Sequence, residues 1–256
     1  MQTRSAANLG FICDQWPPDS TKPSLVFIHG AGGSSAFWTG QVAGLADRAN
    51  TIAIDLPGRG NSPGPGSQDV AAYARVVETF LDELALPAPV LIGFSMGGAI
   101  VLQILLDRPG EFTAAGLVSS GAKQGVLPAI LELIENDFET YISQVSLSAA
   151  SPKTDPELLR PAIEDRANCA PEIVLGDFNA CNAFDVRERL AQIKLPILLV
   201  SAEEDMLTPP KFAAYLEEKL PDARRVHILE AGHFVAIEQA AQVGQAIRNF
   251  LDEQNL

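Results

Sequence analysis

The stretch that decides the fold is Pro-Val-Leu-Ile-Gly-Phe-Ser-Met-Gly-Gly at residues 89–98. Its first half, Val90–Phe94, is apolar and typical of a buried strand, and Met96–Asp107 continues as an apolar helix. The turn between them, Gly93–Gly97, fits the pattern G-x-S-x-G. A serine on a tight strand-to-helix turn projects its hydroxyl into open space, and flanking glycines leave room for the crowded backbone. This context predicts that Ser95 is a nucleophile.

Short apolar runs alternate with helix-like segments on both sides of this turn. Several runs are apolar throughout, which is typical of strands covered on both faces. The alternation therefore predicts an α/β fold with a mostly parallel central sheet flanked by helices. The predicted strands are Leu25–Ile28, Thr51–Ile54, Val90–Phe94, Ala114–Val118, Ile197–Val200 and Val226–Leu229, with one or two leading strands in Gly10–Pro18. The predicted helices are Ser35–Leu45, Gln68–Leu84, Met96–Asp107, Pro210–Lys219 and Ile237–Asp252.

One region interrupts the alternation. Residues 122–190 contain no convincing strand, whereas runs such as Leu131–Phe138 and Glu157–Asn168 look helical. We expect this segment to be a helical insertion that forms a cap above the carboxyl ends of the strands. Residues 1–121 and 191–256 then form the α/β core.

Composition limits the classes of partner. The 256 residues suffice for one sizeable domain, and the net charge of −14 repels phosphate backbones and anionic lipid. The uncharged stretch between Glu83 and Asp107 has the length of a membrane span, but its prolines and glycines oppose one. We expect a small-molecule substrate, no nucleic acid and no membrane, while the oligomeric state is not indicated.

The cysteines indicate the cellular compartment in which the protein is expected. The chain has an odd number of cysteines, and their spacing matches no zinc site: they are Cys13, Cys169 and Cys181. Residues 1–10 lack an apolar signal segment, so reduced thiols and a cytoplasmic location are expected. The sequence leaves open a disulfide between Cys169 and Cys181.

Small residues after the strand Leu25–Ile28 predict an oxyanion hole. The loop His-Gly-Ala-Gly-Gly at residues 29–33 lets backbone N–H groups point into a site unhindered. The expected donors are the N–H of Met96, directly after the nucleophile, and the N–H of Ala31, with Gly32 as the alternative.

The same loop has a rival interpretation as a dinucleotide-binding turn. It begins like G-x-G-x-x-G, and Asp55 would mimic the acidic residue that binds a ribose. The sixth position of the pattern is Ser35 rather than glycine, and this interpretation leaves Ser95 unexplained.

The base can be chosen among three histidines. His29 belongs to the glycine-rich loop, where a bond to local backbone is expected, and His227 lies inside a predicted strand. His233 follows that strand in a loop at its carboxyl end, where ligands collect in open α/β sheets. His233 is therefore the candidate general base. The acid that orients it should follow another strand, where Glu203, Glu204 and Asp205 all compete.

Taken together, these motifs resemble those of the α/β-hydrolase family over nearly the whole chain. The segments that carry the resemblance are His29-Gly30, Asp55-Leu56-Pro57-Gly58-Arg59-Gly60-Asn61-Ser62, Gly93–Gly98, Asp205 with Pro209, and Gly232-His233-Phe234. The resemblance selects Asp205 as the acid, and the chain order Ser, Asp, His agrees with the family. It also implies that the insertion is a helical cap.

The resemblance implies a serine hydrolase that cleaves a carboxylic ester or thioester of a small or medium hydrophobic substrate. Its catalytic residues would be Ser95, Asp205 and His233, and the chemistry needs neither a metal nor an organic cofactor. A serine nucleophile argues against the dehalogenases and epoxide hydrolases of this fold. A carbon–carbon bond hydrolase, a lactonase, a perhydrolase and an acyltransferase remain alternatives on the same triad, as does a small-ligand receptor. Candidate pocket residues are Phe37, Trp38, Phe138, Tyr141, Phe178, Met206 and Phe234.

Overall fold

A computed structural model describes residues 1–145 and 148–256, and within these residues eight strands form one sheet. The strand order is β1-β2-β4-β3-β5-β6-β7-β8. Strands β3 to β8 pair in parallel, and β1 and β2 pair antiparallel at one edge. The strands are β1 (Gln2–Ala6), β2 (Leu9–Cys13), β3 (Ser24–Ile28), β4 (Asn50–Ile54), β5 (Pro89–Phe94), β6 (Ala115–Val118), β7 (Ile197–Ala202) and β8 (Ala223–Ile228). The predicted α/β architecture is confirmed.

The central strands are buried on both faces because helices cover each side of the sheet. Alternate residues of β3 belong to opposite cores: Val26 packs into one and Phe27 into the other. The helices of the α/β part are α1 (Thr39–Gly44), α2 (Val70–Leu84), α3 (Met96–Asp107), and, after the insertion, α8 (Pro210–Lys219), α9 (Val235–Glu238) and α10 (Ala240–Glu253). Helices α2 and α3 cover one face, and α1 and α10 cover the other.

Between β6 and β7 the described chain is helical. The segment between β6 and β7, called the helical insertion below, contains α4 (Pro128–Asn136), α5 (Phe138–Thr140), a π-helical turn (Tyr141–Val145), α6 (Pro156–Ala167), α7 (Pro171–Ala183) and a 3₁₀ turn (Arg187–Gln192). A bridge between Lys123 and Asp185 joins the two ends of the insertion beside the sheet. The insertion thus leaves and re-enters the α/β core at one place.

The structure differs from the prediction where hydrophobic pattern is weak. The first strand is Gln2–Ala6, outside the predicted segment Gly10–Pro18; it is a polar, largely exposed edge strand. A tight turn at Ala7 and Asn8, both with positive φ, joins it to β2. The predicted helix Ser35–Leu45 begins as a 3₁₀ turn, and the predicted helix Ile237–Asp252 is divided because Gln239 has φ near −129°.

No helix within the described part of the chain has the length and apolar character that a bilayer crossing requires.

Candidate active site

Ser95 sits on the strained turn between β5 and α3. Its backbone has φ of 52° and ψ of −116°, a conformation that non-glycine residues rarely adopt. Two close approaches require glycine beside it. A Cβ on Gly93 would lie 2.2 Å from the carbonyl oxygen of Gly97, and a Cβ on Gly97 would lie 2.2 Å from that of Ile28. The turn is held because Ser120 Oγ and Gln124 Nε2 each donate to the Ser95 carbonyl over 2.8 Å.

His233 reaches Ser95 from the loop after β8. Its Nε2 lies 3.1 Å from Ser95 Oγ, and its backbone N–H donates to the carbonyl of Ala149 over 2.7 Å. The ring also packs against Phe94, with centroids 4.9 Å apart. These contacts fix both the backbone and the ring plane of a residue that is 138 positions from Ser95 in the chain.

Asp205 completes the arrangement from the loop after β7. Its two carboxylate oxygens lie 3.0 and 3.1 Å from His233 Nδ1. Because a carboxylate only accepts, Nδ1 carries the proton, and Nε2 offers its lone pair to the Ser95 hydroxyl. Burial alone would raise the pKa of the Asp205 carboxyl, but His233 and donors from Thr208 hold it below its ordinary value. Thr208 contributes its backbone N–H at 2.8 Å and its hydroxyl at 2.7 Å.

The competing acids have other surroundings. Glu203 is exposed and accepts the backbone N–H of Glu230 at 3.3 Å, whereas the bonds to His233 Nδ1 come from the Asp205 carboxylate. Of the three acids in this run, the structure brings Asp205 to the imidazole.

The other two histidines lie outside this arrangement. His29 Nδ1 lies 2.8 Å from its neighbouring Gly30 carbonyl, and His29 Nε2 accepts the N–H of Leu56 at 3.1 Å, so the neutral ring bonds local backbone as predicted. His227 is an exposed residue of β8 whose Nδ1 lies 3.1 Å from Ser201 Oγ. Neither ring contacts Ser95.

The glycine-rich loop lies over Ser95. Ala31 lines the same cavity as Ser95, and Met96 is the first residue of α3, where an N–H has no partner within the helix. The N–H of Gly32 instead donates to the Asp177 carboxylate over 2.8 Å. Because the Gly32 N–H is already bonded to Asp177, Ala31 is favoured over Gly32 as the second N–H donor of the oxyanion hole.

The structure argues against the dinucleotide interpretation of this loop. Asp55 accepts the N–H of Ser35 at 2.7 Å through one oxygen and the N–H of Asn61 at 2.8 Å through the other. The side chain is 1% exposed. Asp55 therefore organises two loops of the core and is not placed to bind a ribose.

A cavity of about 120 Å³ opens above Ser95. Its walls are largely apolar, and the helical insertion supplies many of them. Its lining comprises Ala31, Phe94, Ser95, Gln124, Gly125, Val126, Leu127, Ile130, Tyr141, Ala149, Arg166, Phe178, Cys181, Met206, Leu207, Thr208 and His233.

The candidate pocket residues are only partly correct. Tyr141, Phe178 and Met206 line the cavity. Phe37, Trp38 and Phe234 are instead buried in the core that contains Phe94, because aromatic rings stack there beneath the site. Phe138 is also absent from the lining and packs on Tyr141, with centroids 5.7 Å apart.

Several residues outside the triad hold the site. Glu238 Oε2 accepts the N–H of Gly232 at 3.0 Å and the N–H of Ser151 at 2.9 Å, so it joins the loop after β8 to the insertion. Arg166 and Asp177 contact the glycine-rich loop from the insertion. Sequence reasoning missed Arg166 and Asp177, because each contacts a partner more than 100 positions away and no local sequence pattern predicts such a contact.

Among the residues that the structure describes, no group of three or more His, Cys, Asp or Glu side chains is arranged to hold a metal ion. Cys13, Cys169 and Cys181 are free and buried, so the disulfide that the sequence left open is not formed here.

Comparison with known proteins gives a consistent result. Residues 25–246 match the model of the alpha/beta hydrolase family. The chain is 27% identical over 233 residues to the pimeloyl-[acyl-carrier protein] methyl ester esterase of Vibrio campbellii, covering 85% of this chain and 90% of that one. It is 28% identical over 244 residues to the protein of the same name from Yersinia pseudotuberculosis, covering 90% and 93%.

Solved structures resemble the whole molecule. A thermophilic esterase matches with 28% identity and a TM-score of 0.80 over 96% of this chain and 94% of that one. The enol-lactonase from Burkholderia xenovorans LB400 matches with a TM-score of 0.87 over 95% and 96%; at 21% identity this likeness concerns the fold alone.

Proposed function

Because the chain belongs to the α/β-hydrolase family, we propose that it cleaves carboxylic esters with Ser95 as nucleophile, His233 as general base and Asp205 as the orienting acid. The observation that carries this proposal is the continuous set of contacts from Asp205 through His233 to Ser95 Oγ, each between 3.0 and 3.1 Å. The names of the relatives support ester hydrolysis.

The first half of the reaction forms an acyl-enzyme. Ser95 Oγ attacks the ester carbonyl carbon while its proton passes to His233 Nε2. The carbonyl oxygen becomes an oxyanion, which the N–H groups of Ala31 and Met96 stabilise. Ionised Asp205 supports the positive imidazolium. His233 then gives the proton to the leaving alkoxide, the carbon–oxygen bond breaks and an alcohol departs.

The second half restores the enzyme. Water attacks the acyl carbon while His233 Nε2 removes a proton from it. Collapse of the second oxyanion releases the carboxylic acid, and the proton returns to Ser95 Oγ.

The cavity supports a small or medium hydrophobic substrate. The apolar side chains Val126, Leu127, Ile130 and Phe178 face the space above Ser95 and favour a hydrocarbon chain there. All four side chains belong to residues 122–190. Near the two ends of this segment, Lys123 and Asp185 form a bridge, which supports a cap with these boundaries.

A cytoplasmic location is part of the proposal. It is supported by Cys13, Cys169 and Cys181, whose free thiols are typical of a reducing compartment. Cell fractionation tests this part of the proposal.

The test is a series of p-nitrophenyl esters with acyl chains of increasing length, run beside a thioester, a lactone and a diketone. We expect turnover of short and medium esters, and a loss of at least about 10³-fold in Ser95→Ala. Ser20→Ala is the matched control, since Ser20 is exposed in the loop before β3. Full esterase activity in Ser95→Ala refutes the triad, and turnover of the diketone alone reassigns the reaction to carbon–carbon bond hydrolysis.

A further inference from the structure

The peptide group between Ala31 and Gly32 is held from both sides by the helical insertion. Its carbonyl oxygen, on Ala31, accepts from Arg166 Nη2 over 3.1 Å. Its N–H, on Gly32, donates to Asp177 Oδ2 over 2.8 Å. Arg166 belongs to α6 and Asp177 to α7. Any rotation of this peptide plane breaks both bonds at once, so its orientation depends on two insertion helices.

Asp177 is itself fixed by the α/β core. Its side chain is 0% exposed and forms a bidentate ion pair with Arg59, whose Nη2 lies 2.9 Å from Oδ1. The Tyr73 hydroxyl donates to Oδ1 over 2.5 Å. Burial alone would lower the pKa of Arg59, but the facing Asp177 carboxylate raises it above its ordinary value. The guanidinium therefore stays charged, and its two bonds to Asp177 hold the acceptor of the Gly32 N–H in place.

Arg166 approaches from the other side of the loop. Its guanidinium lies over the ring of Phe234, 5.3 Å from the centroid. Its stem passes directly over Gly32, where an added Cβ would meet Arg166 Cγ at 3.1 Å. Gly32 has φ of 67°, which also favours glycine. The loop is thus shaped to fit beneath this side chain.

We propose that Arg166 and Asp177 are positioning residues of the oxyanion hole. By fixing the Ala31–Gly32 peptide, they set the direction of the adjacent Ala31 N–H toward the developing oxyanion. The geometry of the hole then depends on two helices of the insertion. This inference rests on the proposed function, because it gives these residues a role in the same reaction.

The first test removes the donor and keeps the packing. Arg166→Met retains an aliphatic stem over Gly32, whereas Arg166→Lys retains one donor for the Ala31 carbonyl. Arg160→Met is the matched control, because Arg160 lies on the same helix, is exposed and pairs with Glu157. Turnover of p-nitrophenyl butyrate is normalised to active sites titrated with a fluorophosphonate, so unfolded protein does not count.

We expect Arg166→Met to lower kcat per titrated site by about 10- to 100-fold with KM changed less than about threefold, since misplacing one oxyanion donor weakens transition-state binding selectively. The inhibition constant of a phenylboronic acid, whose tetrahedral adduct places an oxygen in the hole, should rise in parallel. Arg166→Lys should recover most of both losses, and Arg160→Met should match the wild type.

A second variant probes the other bond. Asp177→Asn keeps the size of the side chain but loses the charge that holds Arg59, and it should show the same selective loss of kcat and boronate affinity. If both Arg166→Met and Asp177→Asn keep wild-type kcat per titrated site and wild-type boronate affinity, the positioning role is wrong. The proposed function survives that result if Ser95→Ala is inactive, whereas an active Ser95→Ala overturns both.

Discussion

Acidification from pH 7 to pH 5 should destabilise the folded protein through His29, a fully buried histidine of the glycine-rich loop. Burial, and next the positive charge of Arg59, lower the pKa of His29 from 6.5 to about 3. In the unfolded chain the imidazole has its ordinary pKa. Between these two values the unfolded state binds a proton that the folded state does not, so stability falls as the pH falls through this window and is constant above it.

The size of the effect follows from the two pKa values. Each pH unit inside the window costs about 1.4 kcal/mol of the free energy of unfolding. Between pH 7 and pH 5 the loss from His29 is therefore about 2 kcal/mol, a large fraction of the stability of an ordinary domain. The carboxyl of Asp205, whose pKa is lowered, adds its own loss only in more acidic solution.

Urea unfolding at pH 7 and pH 5 measures this loss. His29→Gln has no titrating ring, so its free energy of unfolding should change by about 2 kcal/mol less than that of the wild type over the same interval. The comparison is made within each protein, so a lower stability of the variant at pH 7 does not affect it. His227→Gln, which removes an exposed histidine, is the control and should retain the wild-type loss. An equal loss in wild type and His29→Gln would refute the reasoning.

Three further variants test other contacts. Asp205→Asn should keep the fold by circular dichroism but lower kcat by about 10³- to 10⁴-fold, because the amide favours the wrong imidazole tautomer; a loss below tenfold would contradict this. Gly97→Ala should give no soluble folded protein, since its Cβ would lie 2.2 Å from the Ile28 carbonyl oxygen, and a normal yield with a native spectrum would be the opposite outcome. Arg59→Met should lower the free energy of unfolding in urea by about 3–5 kcal/mol, because it leaves buried Asp177 unpaired. Adding Asp177→Leu should recover part of that loss. An unchanged free energy of unfolding in Arg59→Met would show that the ion pair does not stabilise the fold.

The features that could be located from the sequence are those set by local chemistry. The turn at Ser95 needs glycines at fixed spacing, so the pattern is visible in Gly93–Gly97, and the structure places that turn between β5 and α3. The position of His233 followed from the presence of only three histidines and from the strand before it. Long apolar runs likewise located the central strands, because burial on both faces leaves few polar residues.

The parts that the sequence did not predict depend on tertiary contacts. Asp205 was separated from Glu203 only by resemblance, since three adjacent acids have similar local patterns. Arg166 meets the Ala31 carbonyl across 135 positions, and Asp177 meets Arg59 across 118. The edge strand Gln2–Ala6 is polar and exposed, so no hydrophobic alternation marks it. The sequence also does not show whether an aromatic residue such as Phe37 or Trp38 lies in the core or lines the cavity, because that depends on where the folded chain puts its ring.

The central claim is that Ser95 is made nucleophilic by His233. Intact-mass analysis and peptide mapping after brief treatment with a fluorophosphonate test it most directly. The account predicts one adduct per chain, on the peptide containing Ser95, formed rapidly in the wild type and at least about 100-fold more slowly in His233→Ala. An adduct on another residue, or equal labelling rates in the two proteins, would contradict it.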